Sequence, residues 1–440
     1  MIPGTKLQTD DKAASMRMVV AASAIGTTIE WYDFLIYATA ASLVLNKLFF
    51  PTDDPLVGTL ISISTIGVGF FARPIGAIIL SHFGDRLGRK SMLILTLVSM
   101  GAATTLIGLL PTYGSIGVAA PILLVACRLV QAISVGGEWG GAVLMTTEHS
   151  PSQKRGFYGS MVQIGFPLGM ALGTASFFAL AYLDDQQFTS WGWRIPFVAS
   201  AALVVIGIFI RLQIDETPDF KRVLREGDVA RLPVLETIRR HPKDLLIGLG
   251  ARITEISWIY VLTIFGLNYA VTSLGLPRSL VLGAIALGAT VELITIPLFG
   301  YLSDRIGRRI IYLLGCVAAI CLSFPIFWAI QTREPVIVVL AFVIGMSVGH
   351  GIMYGVQASF LSEMFPSNLR YSGASLGYQI AAPIGGGLVP LAAAAIVGLA
   401  GGATWPVSLL MIAIASITIL AVLAARETAP AVAKAQPIFT

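Results

Sequence analysis

The sequence predicts an all-α polytopic membrane protein with twelve transmembrane helices in two six-helix bundles. Hydrophobic residues make up 56% of the 440 residues and charged residues only 12%, about half the charged fraction of a soluble domain. Apolar stretches of about 20 residues recur along the chain, and each is long enough to cross a bilayer as a helix. Two charged motifs also occur twice, in the same order, once in each half of the chain.

Twelve apolar stretches give the predicted helices in order. The first contains carboxylates and is too long for the apolar core of a cleaved signal peptide, so we expect it to remain in the membrane. The stretches are 18–45, 57–81, 91–110, 116–147, 155–183, 193–212, 244–272, 279–302, 310–330, 335–362, 370–398 and 404–425.

These stretches divide the chain into five parts. The segment between the sixth and seventh stretches is dense in charge, so we expect a cytoplasmic linker with some amphipathic helix. The predicted parts are a cytoplasmic N-terminal segment 1–17, a first six-helix bundle 18–212, the linker 213–243, a second six-helix bundle 244–425 and a short cytoplasmic tail 426–440.

The basic residues predict the orientation of the chain. If both termini are cytoplasmic, the cytoplasmic segments contain 22 of the 29 Lys and Arg residues and the outer loops contain four. Because short outer loops are poor in basic residues, this asymmetry predicts a multi-pass protein of a bacterial plasma (inner) membrane with both termini in the cytoplasm. The basic pI near 9.1 then reflects contact with the lipid bilayer rather than a nucleic-acid partner.

Two repeated motifs indicate an internal duplication. GDRLGRK at 84–90 matches SDRIGRR at 303–309, and EHSPSQKR at 148–155 matches EMFPSNLR at 363–370. Both pairs occur in the same order at nearly the same spacing, and both are predicted on the cytoplasmic face. A duplicated six-helix unit is typical of carriers that hold their substrate between the two repeats.

The repeated loop resembles the signature of the major facilitator superfamily (MFS), G-x-x-x-D-R-x-G-R-K between the second and third spans. It is present as SHFGDRLGRK, with Ser81 where the family has its first Gly, and as GYLSDRIGRR. IEWYDFLIYA, FFARPIG and GGEWGGA resemble more narrowly the metabolite:proton symporter family. The resemblance covers essentially the whole chain. It implies the MFS fold and transport by alternating access, without enzymatic activity or a cofactor, with the proton gradient as driving force.

The repeated charges predict a gate on the cytoplasmic side. Charge pairs at helix ends can hold two bundles together and separate when the bundles rock. Basic residues alone would fix the topology, whereas the repeated acidic residues add nothing to it. For the second motif pair, a purely structural helix-end contact is an equal alternative. The candidate gating residues are Asp85, Arg86, Arg89, Glu148, Arg155, Asp304, Arg305, Arg308, Glu363 and Arg370.

Charged residues inside the spans predict the coupling site, because such residues usually face the bundle interior and mark proton or substrate pathways. Glu30 and Asp33 share one face of the first helix near the membrane midplane, and Arg128 reaches a similar depth. Because the resemblance implies that the first and fourth spans belong to the same bundle half, we expect an Asp33–Arg128 ion pair whose proton affinity changes as the bundles rock. A static structural pair is the alternative. Glu30, Asp33 and Arg128 are the candidate proton-coupling residues, and Glu138 is interpreted as local packing or a cytoplasmic-side relay.

Polar residues in the second half extend the predicted site. His350, Tyr354 and Gln357 form a polar stripe on one face of the tenth span, which either joins helices or lines a cavity. Arginine gives bidentate contacts to carboxylates, so Arg128 and Arg252, from opposite halves, are expected to bracket a small carboxylate. The candidate substrate-binding residues are Tyr37, Arg128, Gln163, Arg252, Glu255, Trp258, Glu292, His350, Tyr354, Gln357 and Tyr378.

These observations predict a proton-coupled importer of a small organic acid, such as a di- or tricarboxylate, a keto acid or a shikimate-like acid. The alternatives are a symporter of a zwitterionic osmolyte such as betaine or proline, coupling to another cation, a drug:proton antiporter and a non-transporting receptor. No metal site or enzyme is expected, because the four histidines are scattered and neither H-E-x-x-H nor a phosphate-binding loop is present. The expected partners are the solute, the proton and the bilayer, and we expect a monomer.

Overall fold

The computed structural model describes residues 4–51 and 55–433, and this part of the chain is helical with no strand. Twelve of its helices are long and apolar enough to cross a membrane, which confirms the predicted architecture. They are α1 Met16–Phe49, α2 Gly67–Leu87, α3 Arg89–Leu109, α4 Ala119–His149, α5 Ser152–Ala179, α6 Asp185–Leu212, α7 Pro242–Ser273, α8 Arg278–Ile306, α9 Arg308–Gln331, α10 Pro335–Glu363, α11 Arg370–Leu399 and α12 Trp405–Ala424.

Several helix ends differ from the prediction. The helix that contains α1 begins at Gly4, within the predicted N-terminal segment. The span α6 begins eight residues before the predicted start, at Asp185. The Asp184 side chain accepts a hydrogen bond there from the backbone N–H of Gln187 at 2.7 Å and so satisfies an unpaired donor at the helix start. Residues 1–3 of the predicted N-terminal segment and 434–440 of the predicted tail lie outside the described residues.

The linker between α6 and α7 contains two short helices, Pro218–Glu226 and Pro233–Arg240. The first is capped by Thr217, whose hydroxyl accepts from the backbone N–H of Phe220 at 3.3 Å. Its apolar face is buried through Phe220 and Val223. We call the side of the bundle that carries these helices the linker side, and the opposite side the distal side.

The two six-helix halves meet along several helix pairs. Helix α2 packs on α11, and α5 packs on both α8 and α10. The glycines of GGEWGGA allow α4 to join this contact. A Cβ at Gly136 would collide with the backbone of α2, and a Cβ at Gly140 would collide with Ser375 of α11. The motif therefore lets α4 approach both α2 and the second half.

Sharp turns on the linker side place the repeated charges. Gly88 and Gly307 separate α2 from α3 and α8 from α9, with φ of 105° and 119°, values that favour glycine. Beyond each turn a glutamate caps the next helix. Glu216 accepts from the backbone N–H of Lys90 at 3.1 Å, and Glu427 accepts from the first two N–H groups of α9 at 2.9 and 3.0 Å. Glu216 belongs to the linker after α6 and Glu427 to the segment after α12, so these two caps are equivalent contacts in the two halves.

Candidate functional site

Asp85 joins the two halves on the linker side. It lies near the end of α2, and its carboxylate accepts hydrogen bonds from the backbone N–H groups of Tyr371 at 3.2 Å and Ser372 at 2.9 Å. These residues are in the first turn of α11, where N–H groups have no partner within the helix. The carboxylate also faces the positive end of the α11 dipole, so the contact stabilises the closed linker side.

Asp304 makes the symmetric contact from the second half. At the end of α8, it accepts from the backbone N–H groups of Gly156 at 2.8 Å and Phe157 at 2.9 Å, near the start of α5. Each repeated aspartate therefore caps a helix of the opposite half. We call these two contacts and the ion pairs beside them the latch. The latch consists of Asp85, Asp304, Arg89, Arg308, Glu148 and Arg370.

Arg89 supports the Asp85 contact from the start of α3. Its guanidinium lies 3.5 Å from Asp85 and 3.6 Å from Glu148, and it donates to the backbone carbonyl of Ser367 at 2.8 Å. Ser367 belongs to the loop between α10 and α11, so Arg89 also bridges the halves.

Arg308 is the equivalent residue at the start of α9. It lies 2.8 Å from Asp304 and 3.2 Å from Glu363, both in its own half. Because it neutralises Asp304 on one side, the other face of that carboxylate is free to cap α5.

Arg370 ties the latch to the linker. It lies 3.2 Å from Glu148 and 2.6 Å from Asp219 in the first linker helix. Partial burial raises the pKa of Asp219, but the hydrogen bond and charge of Arg370 outweigh it and hold that pKa below its usual value. Asp219 is ionised at any pH above its lowered pKa, so its contact with Arg370 is fully formed at neutral pH. The contact is lost only as the pH falls through the lowered pKa.

The other predicted gating residues form no ion pair across the halves in the described part of the chain. Arg86 and Arg305 are exposed. Arg155 donates to the backbone carbonyl of Thr147 at 3.1 Å rather than to Glu363. The second motif pair is therefore not symmetric in its contacts.

Asp33, in the middle of α1, is held by two hydroxyl groups. Thr104 of α3 donates to Oδ2 at 2.6 Å, and Ser200 of α6 donates to Oδ1 at 2.7 Å. The expected Asp33–Arg128 ion pair is therefore not formed in this structure. Hydroxyls can replace the arginine because each supplies one donor to one carboxylate oxygen.

Arg128 reaches Asp33 through two intermediate side chains. Its Nη1 donates to Gln131 at 3.2 Å, Gln131 donates to the Thr104 hydroxyl at 2.6 Å, and Thr104 donates to Asp33. The guanidinium stacks on the ring of Tyr37 at 4.2 Å, which fixes its orientation. Asp33, Arg128 and Tyr37, three of the predicted residues of the first half, thus lie in one connected network.

Arg73 and Glu30 face the same small cavity as Arg128 and Asp33. The cavity has a volume of about 10 Å³, room for about one water molecule. Within the described residues neither arginine is in an ion pair with a carboxylate, and Oε2 of Glu30 is buried with no hydrogen-bond partner. Two guanidinium groups and two carboxylates therefore meet around one space without direct pairing.

Aromatic rings cover this cavity toward the second half. Arg73 stacks over Phe34 at 5.4 Å and Phe70 at 5.0 Å, and both rings contact Tyr260 of α7 edge-to-face, at 6.5 and 5.3 Å. A space of about 10 Å³ is too small for an organic acid. The halves must therefore separate at these rings before a solute can reach the arginines.

Glu138 is paired within the first half. It accepts hydrogen bonds from Arg211 of α6 and from Thr96 of α3, and both charged side chains are at most 3% exposed. Of the two interpretations of Glu138 drawn from the sequence, this contact favours local packing. Arg211 lies at the end of the predicted stretch 193–212, and its long side chain turns back into the bundle.

We expect Arg211→Leu to destabilise the protein by about 3 to 5 kcal/mol, because it leaves the Glu138 carboxylate buried without its partner. The double variant Glu138→Leu/Arg211→Leu should recover much of this loss, since neither charge remains. Thermal unfolding of the purified protein in detergent measures both effects. Arg222→Leu, at a half-exposed linker position, is the matched control. A similar melting temperature for Arg211→Leu and Arg222→Leu would contradict the structural importance of the pair.

In the second half, Arg252 is already neutralised. It is in an ion pair with Glu255, donates to Gln357 at 3.0 Å and stacks over Tyr378 at 3.8 Å. Gln357 in turn donates to the Tyr312 hydroxyl at 2.9 Å. The guanidinium thus already contacts Glu255 and Gln357, and the bracketing of a solute by Arg252 and Arg128 stays a prediction.

His350 links two carboxylates in the same region. Its Nδ1 lies 2.5 Å from Glu292 and its Nε2 lies 2.7 Å from Glu255. The predicted polar stripe on α10 is thus buried, and His350 and Gln357 both contact Glu255. The indole N–H of Trp258 donates to the Gly345 carbonyl of α10 at 2.7 Å, so this residue contacts α10 one turn away from His350.

Gln163 and Tyr378 connect the halves near the centre of the molecule. Trp139 of α4 stacks on Tyr378 of α11, with ring centroids 3.6 Å apart. Trp139 also donates to Gln163 of α5 at 2.9 Å, and Gln163 donates to the backbone carbonyl of Tyr354 at 3.3 Å. Three of the predicted substrate-binding residues, Gln163, Tyr354 and Tyr378, therefore lie in the interface between the two halves.

Comparisons with known proteins agree with this architecture. A family model described as Major Facilitator Superfamily matches residues 23–378. The chain is 42% identical over 384 residues to the shikimate transporter of Escherichia coli K12, covering 87% of this chain and 88% of that protein. It is 34% identical over 427 residues to the proline/betaine transporter of the same organism, covering 94% and 84%. The proton:xylose symporter XylE has the same fold, with a TM-score of 0.76 at 16% identity, covering 94% and 95%.

Two six-helix halves joined by a latch at one end, with a buried charged cavity in the first half, are the architecture of a multi-pass membrane transporter rather than an enzyme. The chain belongs to the major facilitator superfamily, as its repeated motifs predicted. It is therefore a secondary transporter of a small solute.

Sequence reasoning missed the uncharged members of the site. Thr104, Ser200 and Gln131 connect Asp33 to its surroundings, and Tyr260 covers the cavity. A polar residue in an otherwise apolar span was the available signal for the first three. It is a weak signal, because hydroxyl side chains also bond to their own helix backbone.

Proposed function

We propose that this transporter imports a small organic acid together with protons. The observation that carries the proposal is the first-half cavity, where no carboxylate of the described residues pairs with Arg73 or Arg128. A buried arginine is a suitable ligand for a solute carboxylate, because its planar group gives two parallel hydrogen bonds. Both arginines are fixed by stacking on aromatic rings, so little side-chain freedom is lost on binding.

Charge balance explains why a proton would accompany the acid. The two arginines and the two carboxylates, Glu30 and Asp33, together carry no net charge when ionised. A solute carboxylate adds a negative charge to a region shielded from water, and an uncompensated buried charge costs several kcal/mol. Protonation of Glu30 or Asp33 restores neutrality. The site then favours loading with the anion and the proton together.

The relatives support an acidic solute. Shikimate, the solute in the name of one relative, is a hydroxylated cyclic carboxylic acid of the predicted class. A zwitterionic osmolyte is the second candidate, because relatives named as proline/betaine transporters are 34% identical. Its carboxylate would bind the same arginines. Its cationic group, however, would compete with Arg73 and Arg128 for the faces of Phe34 and Tyr37.

The linker side faces the cytoplasm of a bacterial inner membrane in this proposal. The support is the excess of Lys and Arg in the linker and the short loops of that side, since such loops are retained inside. Closure of the latch then corresponds to a state shut toward the cytoplasm, which is the state that can load solute from outside.

The proposal is tested by reconstituting the protein in vesicles that contain a pH-sensitive dye. Addition of carboxylic acids is expected to acidify the vesicle interior, whereas betaines are not. The variant Asp33→Asn should exchange solute without moving protons, and Asp184→Asn, at an exposed cap, should behave as the wild type. If no solute moves protons at any pH, proton coupling is wrong. Proton movement with betaines alone would favour the second candidate.

A further inference from the structure

A buried chain of titratable groups in the second half is not used by the proposed function. His350 lies between Glu292 and Glu255, with nitrogen–oxygen distances of 2.5 and 2.7 Å. All three residues are at most 1% exposed. They lie on three different helices, α10, α8 and α7, so the fold rather than local sequence brings them together.

Both contacts can be hydrogen bonds only if two protons are present. A neutral imidazole has one N–H group, so the second proton is carried either by the other ring nitrogen or by a carboxyl group. Without it, a nitrogen lone pair would face a carboxylate oxygen at hydrogen-bond distance, which is repulsive. The geometry therefore requires a proton beyond that of neutral His350.

The surroundings place this proton on the Glu292 side of the ring. Glu255 is in an ion pair with Arg252 and also accepts from Gln357 at 3.2 Å, so its charge is compensated. Oε2 of Glu292 is buried without a hydrogen-bond partner in the described residues. An ionised Glu292 beside a neutral His350 would be an uncompensated buried charge. A proton shared between Glu292 and His350 removes it.

The tyrosines around the cluster add no charge near neutral pH, and Glu30 of α1 lies within electrostatic range of Arg252 from the first half. Tyr354, on the same helix as His350, stacks on the imidazole at 4.6 Å. Tyr312 of α9 bonds to Gln357, and Tyr378 of α11 lies under Arg252. With neutral tyrosines, Arg252 is the cation of the cluster in the described residues, and it is matched by Glu255.

We infer that Glu292 and His350 form a second proton-binding site, separate from the first-half cavity, that exchanges its proton when the two halves part. The first half covers this site through α5. Phe166 contacts the imidazole edge-to-face at 5.6 Å, and Gln163 donates to the Tyr354 carbonyl at 3.3 Å. When α5 moves away, water reaches the site and takes the proton. Glu292 then becomes an ionised, hydrated carboxylate, and the cluster changes from neutral to a net charge of −1.

Infrared difference spectroscopy with pH steps tests the site directly and does not require transport. The wild type should show carboxyl and imidazole bands that titrate together. The carboxyl band should be lost in Glu292→Gln, which keeps the size of the side chain but cannot release a proton, and the imidazole band should no longer change together with a carboxyl band. Glu334→Gln makes the same chemical change at an exposed position and should leave the bands unchanged. Should Glu292→Gln fail to fold, His350→Gln removes the imidazole band and shifts the carboxyl band.

The site is refuted if the wild type shows no such paired bands, or if they persist in Glu292→Gln. The role of the site in transport is measured as the number of protons taken up per solute molecule in dye-loaded vesicles. Glu292→Gln should give a lower ratio than the wild type. An equal ratio would show that the proton stays in place during the cycle and would overturn that part of the inference. If the wild type moves no protons with any solute, the proposed function fails, whereas the infrared result still decides whether the site exists.

Discussion

Replacement of Arg128 by glutamine is expected to reduce uptake of the organic acid by about a hundredfold or more. The solute carboxylate would then enter the cavity with only Arg73 to receive it, and the loss of one partner from a buried charge contact costs about 3 to 5 kcal/mol. Since about 1.4 kcal/mol corresponds to a factor of ten, this cost predicts the stated loss. The measurement is the initial rate of uptake of labelled acid into proteoliposomes under an inward proton gradient.

Lysine at the same position should not restore transport. The ammonium keeps the charge but loses the planar group that stacks on Tyr37 and donates to Gln131. Arg278→Gln, which removes an exposed arginine at the start of α8, is the matched control and should transport as the wild type. Thermal unfolding must show that each variant is folded. Uptake by Arg128→Gln within a few-fold of the wild type would exclude Arg128 as a ligand of the solute.

The helical architecture could be read from the sequence because the bilayer constrains it strongly. Every backbone polar group in hydrocarbon must be bonded internally, so spans appear as long apolar runs. The duplicated motifs added the division into halves, since Gly88 and Gly307 mark equivalent turns. Helix ends were less predictable. The start of α6 depends on the Asp184 cap rather than on hydropathy.

The partners of the charged residues could not be read in the same way. Charge complementarity suggested Arg128 for Asp33, but the rotation of α3 and α6 places Thr104 and Ser200 nearer. Arg211 illustrates the same limit, because its position at the end of the predicted stretch 193–212 does not indicate its partner, Glu138. Which side chain pairs with a buried charge depends on how the helices pack, and this packing cannot be predicted from a single sequence.

The polar residues of α10 show what sequence spacing alone can predict, namely which side chains share one face of a helix. His350 and Gln357 were identified as one polar face of α10, and they lie on one face of it against Glu255. The sequence could not show that Glu292, from α8, completes the cluster. That contact depends on the approach of α8 to α10, which glycines such as Gly355 allow: a Cβ there would collide with the Ile296 backbone.

The double variant Asp85→Asn/Asp304→Asn should open the linker side. Each aspartate offers its charge and both oxygens to the first turn of a helix in the other half. Asparagine removes the charge and one acceptor, which should cost about 1 to 2 kcal/mol at each site. Each substitution is then expected to raise the open population about 5- to 30-fold. The two sites share no partner, so their effects should add in free energy.

A cysteine at Ser375 reports on this opening. Ser375 is buried against Gly140 across the interface, so a water-soluble maleimide should label Ser375→Cys only when the linker side opens. The experiment uses a background in which Cys127, Cys316 and Cys321 are replaced. Labelling should be faster in each single variant than in the parent protein, and fastest in the double variant.

Asp184→Asn separates the latch from helix capping in general. Asp184 also caps a helix start with its side chain, but within the first half and on the distal side. It should leave the labelling rate of Ser375→Cys unchanged. Equal labelling in the parent and the double variant would mean that the crossed caps do not hold the halves together. The closure would then rest on the glycine-mediated packing of α4 against α11 and on the Arg370–Glu148 pair, which the double variant leaves intact.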